Sequence, residues 1–177
     1  MISLAALRMC QRGTAAVEMA LVLPLLLVIM FGSVELGNYF YDQHKLTKAV
    51  RDGARYAARQ RFANYTGCTG SPPQAVIDDT RKIVRKGTLN NTDSDLLPNW
   101  DAAGVSFTVT MTCQPTLDLG GGNTPPPSGI YTGMTGGAPS VTVTSSLPYQ
   151  PAVGSAFGFS AANLSLNATQ QAAVAGL

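Results

Sequence analysis

The first pattern along the chain is an apolar run from Met19 to Val34, in which Ser33 is the only polar side chain. Ala15 to Val17 extend the run past Glu18. With Glu18 included it reaches the roughly 20 residues that cross about 30 Å of hydrocarbon. A stretch apolar on every face fits poorly inside a small domain. It also exceeds the ~7–15-residue core of a secretory signal and is not followed by a small-residue cleavage site. The pattern predicts an anchor that stays in the membrane. Pro24 sits inside it, which a membrane helix tolerates where neighbours pack against it. Tyr39, Phe40 and Tyr41 would form an aromatic belt at one water interface.

The helical pattern continues beyond the apolar run. From Leu36 to about Arg61 there is no proline, and glycine occurs only at Gly37 and Gly53. Lys48, Asp52, Arg55 and Arg59 fall on one face, and Leu46, Ala49, Val50, Gly53 and Ala57 on another. The second face is small as well as apolar, so another backbone can approach it closely. A helix from Thr14 to Arg61 would be about 70 Å long. The basic face has two open readings: a solvated surface tempered by Asp52, or a contact for anionic lipid headgroups or for acidic surfaces of neighbouring subunits.

Residues 62–73 read as a loop, with Thr66-Gly67 and Ser71-Pro72-Pro73 as breakers. Gln74 to Lys86 reads as a short amphipathic helix, with Val76, Ile77, Ile83 and Val84 on one side and Gly87 as its cap. The period then changes to two. Val105, Phe107, Val109 and Met111 alternate with Ser106, Thr108, Thr110 and Thr112, the mark of a half-buried strand. Val141 to Leu147 is a second such run, and Leu164 to Ala168 begins a third that extends towards Val174. Residues 114–139 are rich in Gly, Pro and Thr and read as a surface loop. The predicted fold class is α+β: a long N-terminal transmembrane and stalk helix packed on a small antiparallel sheet domain with one additional short helix.

Composition adjusts this picture at two points. Charged residues are 12% of the 177-residue chain, about half the share of an ordinary soluble domain. The net charge of +2 is too small to point to nucleic acid. There are three cysteines, Cys10, Cys68 and Cys113, an awkward number for a secreted protein unless one is removed by processing.

Glu18 lies near the start of the apolar stretch, where a carboxylate costs up to ~3 kcal/mol and so calls for a partner or a function. Gly13 precedes it by a fixed distance, with Thr14 to Val17 between. This arrangement resembles the processing site of type IV pilin-like proteins. RGTAAVEMALVLP at Arg12–Pro24, FGSVELGNYF at Phe31–Phe40 and AVRDGARYAAR at Ala49–Arg59 together resemble the TadE-like family of pseudopilins from tight-adherence (Tad) pilus systems. Major pilins of such systems typically carry Glu-Tyr at this site and are very short. Here Met19 follows Glu18 and a long C-terminal region follows, so the resemblance implies the minor class.

The resemblance implies cleavage by a prepilin peptidase between Gly13 and Thr14 at the cytoplasmic face, with Glu18 at the fifth mature position serving assembly. It implies residues 1–13 as a cytoplasmic leader, 14–41 as a transmembrane helix, 42–61 as a stalk helix, and 62–177 as a periplasmic or extracellular domain. The implied partners are other pilin-like subunits (minor and major pilins), the peptidase, the inner-membrane assembly platform and the lipid bilayer. Loss of Cys10 with the leader leaves Cys68 and Cys113 to pair, if their side of the membrane is oxidising. Orientation is contested within the sequence itself. Arg8 and Arg12 flank the run on one side; Lys45, Lys48, Arg51, Arg55, Arg59 and Arg61 flank it on the other. A Lys/Arg count would keep the C-terminal side in the cytoplasm, whereas the processing motif places it in the periplasm.

No catalytic constellation is visible. His44 is the one histidine, no His/Cys/Asp cluster has metal-ligand spacing, and there is no phosphate loop. Ser155, between Gly154 and Gly158, is misplaced for a nucleophile elbow and has no histidine to activate it. Neither cofactor nor metal is expected, and the chain does not read as an enzyme. The expected role is a minor pseudopilin in the initiation, priming or tip of a Tad-type pilus used for surface adherence. The alternative is a membrane-tethered periplasmic accessory protein that binds pilus or secretion components without entering the fibre.

Overall fold

A computed structural model describes residues 11–68, 70–116, 125–134, 136–154 and 164–176, with the backbone alone at Gln11 and Arg12. Cys10 and most of the expected leader, part of the expected surface loop at 114–139, and Ser155 lie outside the described residues. The element order is α1 (Gln11–Ala58), α2 (Gln74–Lys86), β1 (Ser106–Gln114), β2 (Ala138–Pro148) and β3 (Ser165–Ala173), with short 3-10 turns at Phe62–Tyr65 and Gly129–Tyr131. The strands form one antiparallel sheet in the order β1-β2-β3. The fold is α+β, as expected. The described chain forms two compact units, one of residues 11–39 with 151–154, the other of residues 40–150 with 164–176.

In the first unit, α1 runs unbroken past Pro24. Ser33 turns its hydroxyl back onto the Ile29 carbonyl at 2.7 Å, which satisfies the one polar side chain of the apolar run within the helix itself.

In the second unit, α1 buries Leu46, Ala49, Val50, Ala54, Ala57 and Ala58 and exposes Lys48, Arg51, Asp52 and Arg55, with Arg59 exposed just beyond its end. These are the two faces that helical spacing assigns. The sheet supplies the other half of the core through Val109, Met111, Val141, Val143, Leu147, Leu166 and Ala168. Register sets Val109 beside Val143 and Met111 beside Val141, so the apolar residues of adjacent strands share one face. The opposite face carries mostly Thr, Ser, Asn and Gln.

The helix ends at Ala58 rather than near Arg61. Its last carbonyls are taken by distant groups: Ala175 N–H donates to Ala58 O at 2.8 Å, and the buried Tyr65 hydroxyl donates to Ala57 O. Such partners satisfy the orphan acceptors of a helix terminus and stop it there. Burial, with Tyr56 nearby, pushes the Tyr65 phenol up to about 12. The stretch read as a loop at 62–73 thus begins with a 3-10 turn that serves the helix end.

The second helix has the expected bounds, and Gly87 closes it in the left-handed conformation (φ 77°), its N–H bonded to Ile83 O. Its buried stripe is Val76, Thr80 and Val84, whereas Ile77 and Ile83 are half-buried. Thr80 enters the core because its hydroxyl bonds Val76 O at 2.6 Å, which leaves its methyl to face Gly53. Residues 88–104 carry no period, yet Leu97 and Trp100 are buried. Arg85 fastens this segment, reaching Asp95 at 2.7 Å and holding both oxygens of Asp101. Hydrogen bonds from Arg85 keep both carboxyls below the usual carboxylate range.

Gly53 sets how closely α2 approaches α1. A Cβ there would lie 2.3 Å from Val84 Cγ2 and 3.4 Å from Thr80 Cγ2. Alanine would gain about 1 kcal/mol of helix propensity. Overpacking against a β-branched side chain with little χ1 freedom costs about 1–3 kcal/mol. We therefore expect Gly53→Ala to lower stability by up to about 2 kcal/mol net, read from urea unfolding followed by the fluorescence of the single tryptophan, Trp100. An unchanged midpoint would mean that α2 moves aside without cost.

Candidate anchoring and assembly site

Helix Gly13–Ala58 is long and apolar enough to cross a membrane, and its most apolar stretch buries nothing within the protein. Val17, Leu21, Leu25 and Val28 are each more than 60% exposed. Their apolar surface needs lipid or other helices around it.

The expected processing residues all fall on this helix. Gly13 and Thr14 lie in its first turns and Glu18 one turn further on, and all three are exposed. Space around Gly13 is open, with nothing within 4 Å of the position a Cβ would take. Thr14 and Glu18 are four residues apart and so share one face. An amine released at Thr14 would lie on the same helical face as the Glu18 carboxylate.

Glu35 has a role that its neighbours in sequence do not reveal. Its carboxylate accepts three consecutive backbone N–H groups, from Ala152 at 3.1 Å, Val153 at 2.9 Å and Gly154 at 3.1 Å. A carboxylate on a helix this apolar is costly unless its lone pairs are filled, and charge-assisted bonds from amides fill them well. The loop at 152–154 is thereby tied to α1. No sequence signal marks this pairing, because the donors are main-chain groups more than a hundred residues away.

Just beyond the apolar stretch, in the second unit, Lys45 places its ammonium 4.4 Å from the Tyr41 ring centroid. Asp42 is 9% exposed, and its carboxyl is raised above the usual range by burial, opposed by the charge of Lys45. Gln43 acts as a short strand substitute: its amide donates to Asn167 O at 2.6 Å and accepts from Asn167 N at 3.2 Å. It covers part of the open edge of β3. Periodicity alone does not show either function.

Cys68 and Cys113 are joined in a disulfide, with their α-carbons 5.6 Å apart. The bridge ties the segment after the 3-10 turn to the end of β1. Gly136 permits it, since a Cβ there would lie 2.8 Å from Cys68 Sγ. Among the described residues no group of three or more His, Cys, Asp or Glu could hold a metal ion, and His44 stands exposed.

Two outcomes test this geometry. The Glu35→Ala variant should raise amide exchange at 152–154 by about tenfold or more, the loss expected for even one charge-assisted bond; unchanged exchange would show that the loop holds without Glu35. Replacing both Cys68 and Cys113 by serine should cost about 2–4 kcal/mol of stability. Equal urea midpoints for the oxidised protein and the double variant would deny the bridge any stabilising role.

No curated protein and no solved structure matches the chain. The family model described as TadE-like protein matches residues 13–55, which include Gly13, Thr14, Glu18, Glu35, Gln43 and Gly53. Over that segment the chain is similar to the TadE-like family, the family that its sequence motifs resemble.

Proposed function

We propose that this chain is a minor pseudopilin, anchored by α1 in the bacterial inner membrane and acting in the initiation, priming or tip of a Tad-type pilus. The TadE-like match points to a Tad pilus-associated protein, and that family is not an enzyme family. One observation carries the finer reading: Gly13, Thr14 and Glu18 stand at the start of a helix long and apolar enough to cross a membrane, inside the matched segment. The proposed processing cuts after Gly13 at the cytoplasmic face. The new Thr14 amine then neutralises Glu18, in the same subunit or a neighbour, and each offsets the other's desolvation.

The disulfide supports the orientation. Such bridges form and persist in oxidising compartments such as the periplasm, so the Cys68–Cys113 bond favours a periplasmic second unit over the cytoplasmic placement of the Lys/Arg count. The proposed partners are other pilin-like subunits, both minor and major, the prepilin peptidase and the inner-membrane assembly platform.

N-terminal sequencing of the membrane-extracted protein should begin at Thr14, and Gly13→Val should leave the precursor uncut. Glu18→Ala should still insert, since a more apolar span enters more readily, but piliation should fall. The same mature mass for Gly13→Val and the parent would refute the processing site. Normal pilus numbers with Glu18→Ala would refute its assembly role. Recovery in membranes but never in sheared pili would indicate the accessory protein instead.

A further inference from the structure

The face of α1 turned away from the core carries a row of cations. Lys48, Arg51 and Arg55 are exposed, and Arg59 continues the row in the closing turn. At about 100° per residue they fall within a narrow sector, and Lys48 to Arg55 covers about 11 Å of helix axis. Among the described residues none of the four forms an ion pair. The ion pairs among the described residues link Lys82 to Asp79, Arg85 to Asp95 and Asp101, and Lys86 to Asp95. Asp52 is the one acid set into the row.

We infer that this row is a docking surface for an acidic helical face of a different protein chain. Three observations select that occupant. First, the spacing is that of one helix face, so a partner helix with acids at i and i+4 meets it charge for charge. Second, a bilayer surface is a poor match. A helix that lies on a membrane inserts its apolar face, and here the apolar face of the segment, Leu46, Val50, Ala54 and Ala57, is already buried in the protein's core, which leaves only salt-screened attraction to anionic headgroups.

Third, a second copy offers no complement. Its exposed face would set cation against cation, and the described acids of its second unit other than Asp52 are engaged elsewhere: Asp79, Asp95 and Asp101 in ion pairs, Asp78 with Gln74, Asp93 with Thr88 and Asn90, and Asp42 buried. Asp52 interrupts the row and gives it a register, because an acid opposite it is repelled. The docking surface is a property of the second unit and is independent of whether the leader is cleaved.

The test uses the full-length protein in zwitterionic detergent micelles. The probes are two labelled, alanine-based helical peptides of one composition, one with its glutamates in a single row at helical spacing and one scrambled. Fluorescence anisotropy should show the row peptide bound about tenfold more tightly than the scrambled one, with affinity falling as salt is raised. Arg51→Glu with Arg55→Glu should abolish this binding and transfer it to a peptide with lysines in the row, while Arg61→Glu, off the row, should leave it unchanged. Retained near-ultraviolet circular dichroism would confirm that the double variant is folded. Equal binding of both glutamate peptides would overturn the proposal. So would binding to phosphatidylcholine vesicles containing phosphatidylglycerol but to neither peptide, or self-association that the double variant loses.

Discussion

The small-residue face of α1 is the constraint on which the second unit depends. Ala49, Gly53, Ala54, Ala57 and Ala58 give the helix a face with almost no side-chain thickness, and it is buried from end to end. Close approach at Gly53 lets α2 bring Val84 and Thr80 against the helix backbone. The larger apolar residues Leu46 and Val50 sit nearer the start of this face and are fully buried. Because close-packed interiors respond to a single added methyl group, the position of α2 follows from the volumes on α1. The segment after α2, held through Arg85, follows from α2 in turn.

What periodicity can show here is which side of an element is buried. The two faces of α1, the bounds of α2 with its Gly87 cap, and the alternation in the strands are each set by neighbours within a few residues. What it leaves hidden is settled by groups far apart in the chain. Helix α1 stops at Ala58 because Tyr65 and Ala175 take its carbonyls. Thr80 is in the core because Gly53 faces it. Asp42 is buried although its charge predicts exposure. The candidate site divides in the same way. Gly13, Thr14 and Glu18 are legible as a local motif, whereas the partners of Glu35 are backbone amides and have no residue type to recognise.

Polar groups on α1 are handled differently along its length. In the apolar stretch, Ser33 is satisfied by the carbonyl four residues back, a solution that would also serve in lipid, where no water is available. Glu35 cannot be satisfied that way, because a carboxylate accepts and the helix has no free N–H groups to offer in its interior. It takes amides from 152–154 instead. Gln43 has both donor and acceptor and uses both on the edge of β3. Each side chain's hydrogen-bonding capacity therefore decides what it can fasten.

The cations from Lys48 to Arg59 are the exception, since no group in the described chain uses them. Exposed charge helps solubility, and a solvated face needs no partner. Solubility, however, sets no requirement on arrangement, and mixed signs dispersed around a surface would serve it at least as well. Here like charges are gathered on one helix face, at some cost in mutual repulsion at i and i+4, while the same chain pairs Lys82, Arg85 and Lys86 with aspartates. The difference is a matter of geometry. Lys82, Arg85 and Lys86 on α2 form ion pairs with aspartates, whereas Lys48, Arg51 and Arg55 on α1 form none among the described residues, so the free energy available from neutralising them remains for a partner that brings the opposite charge.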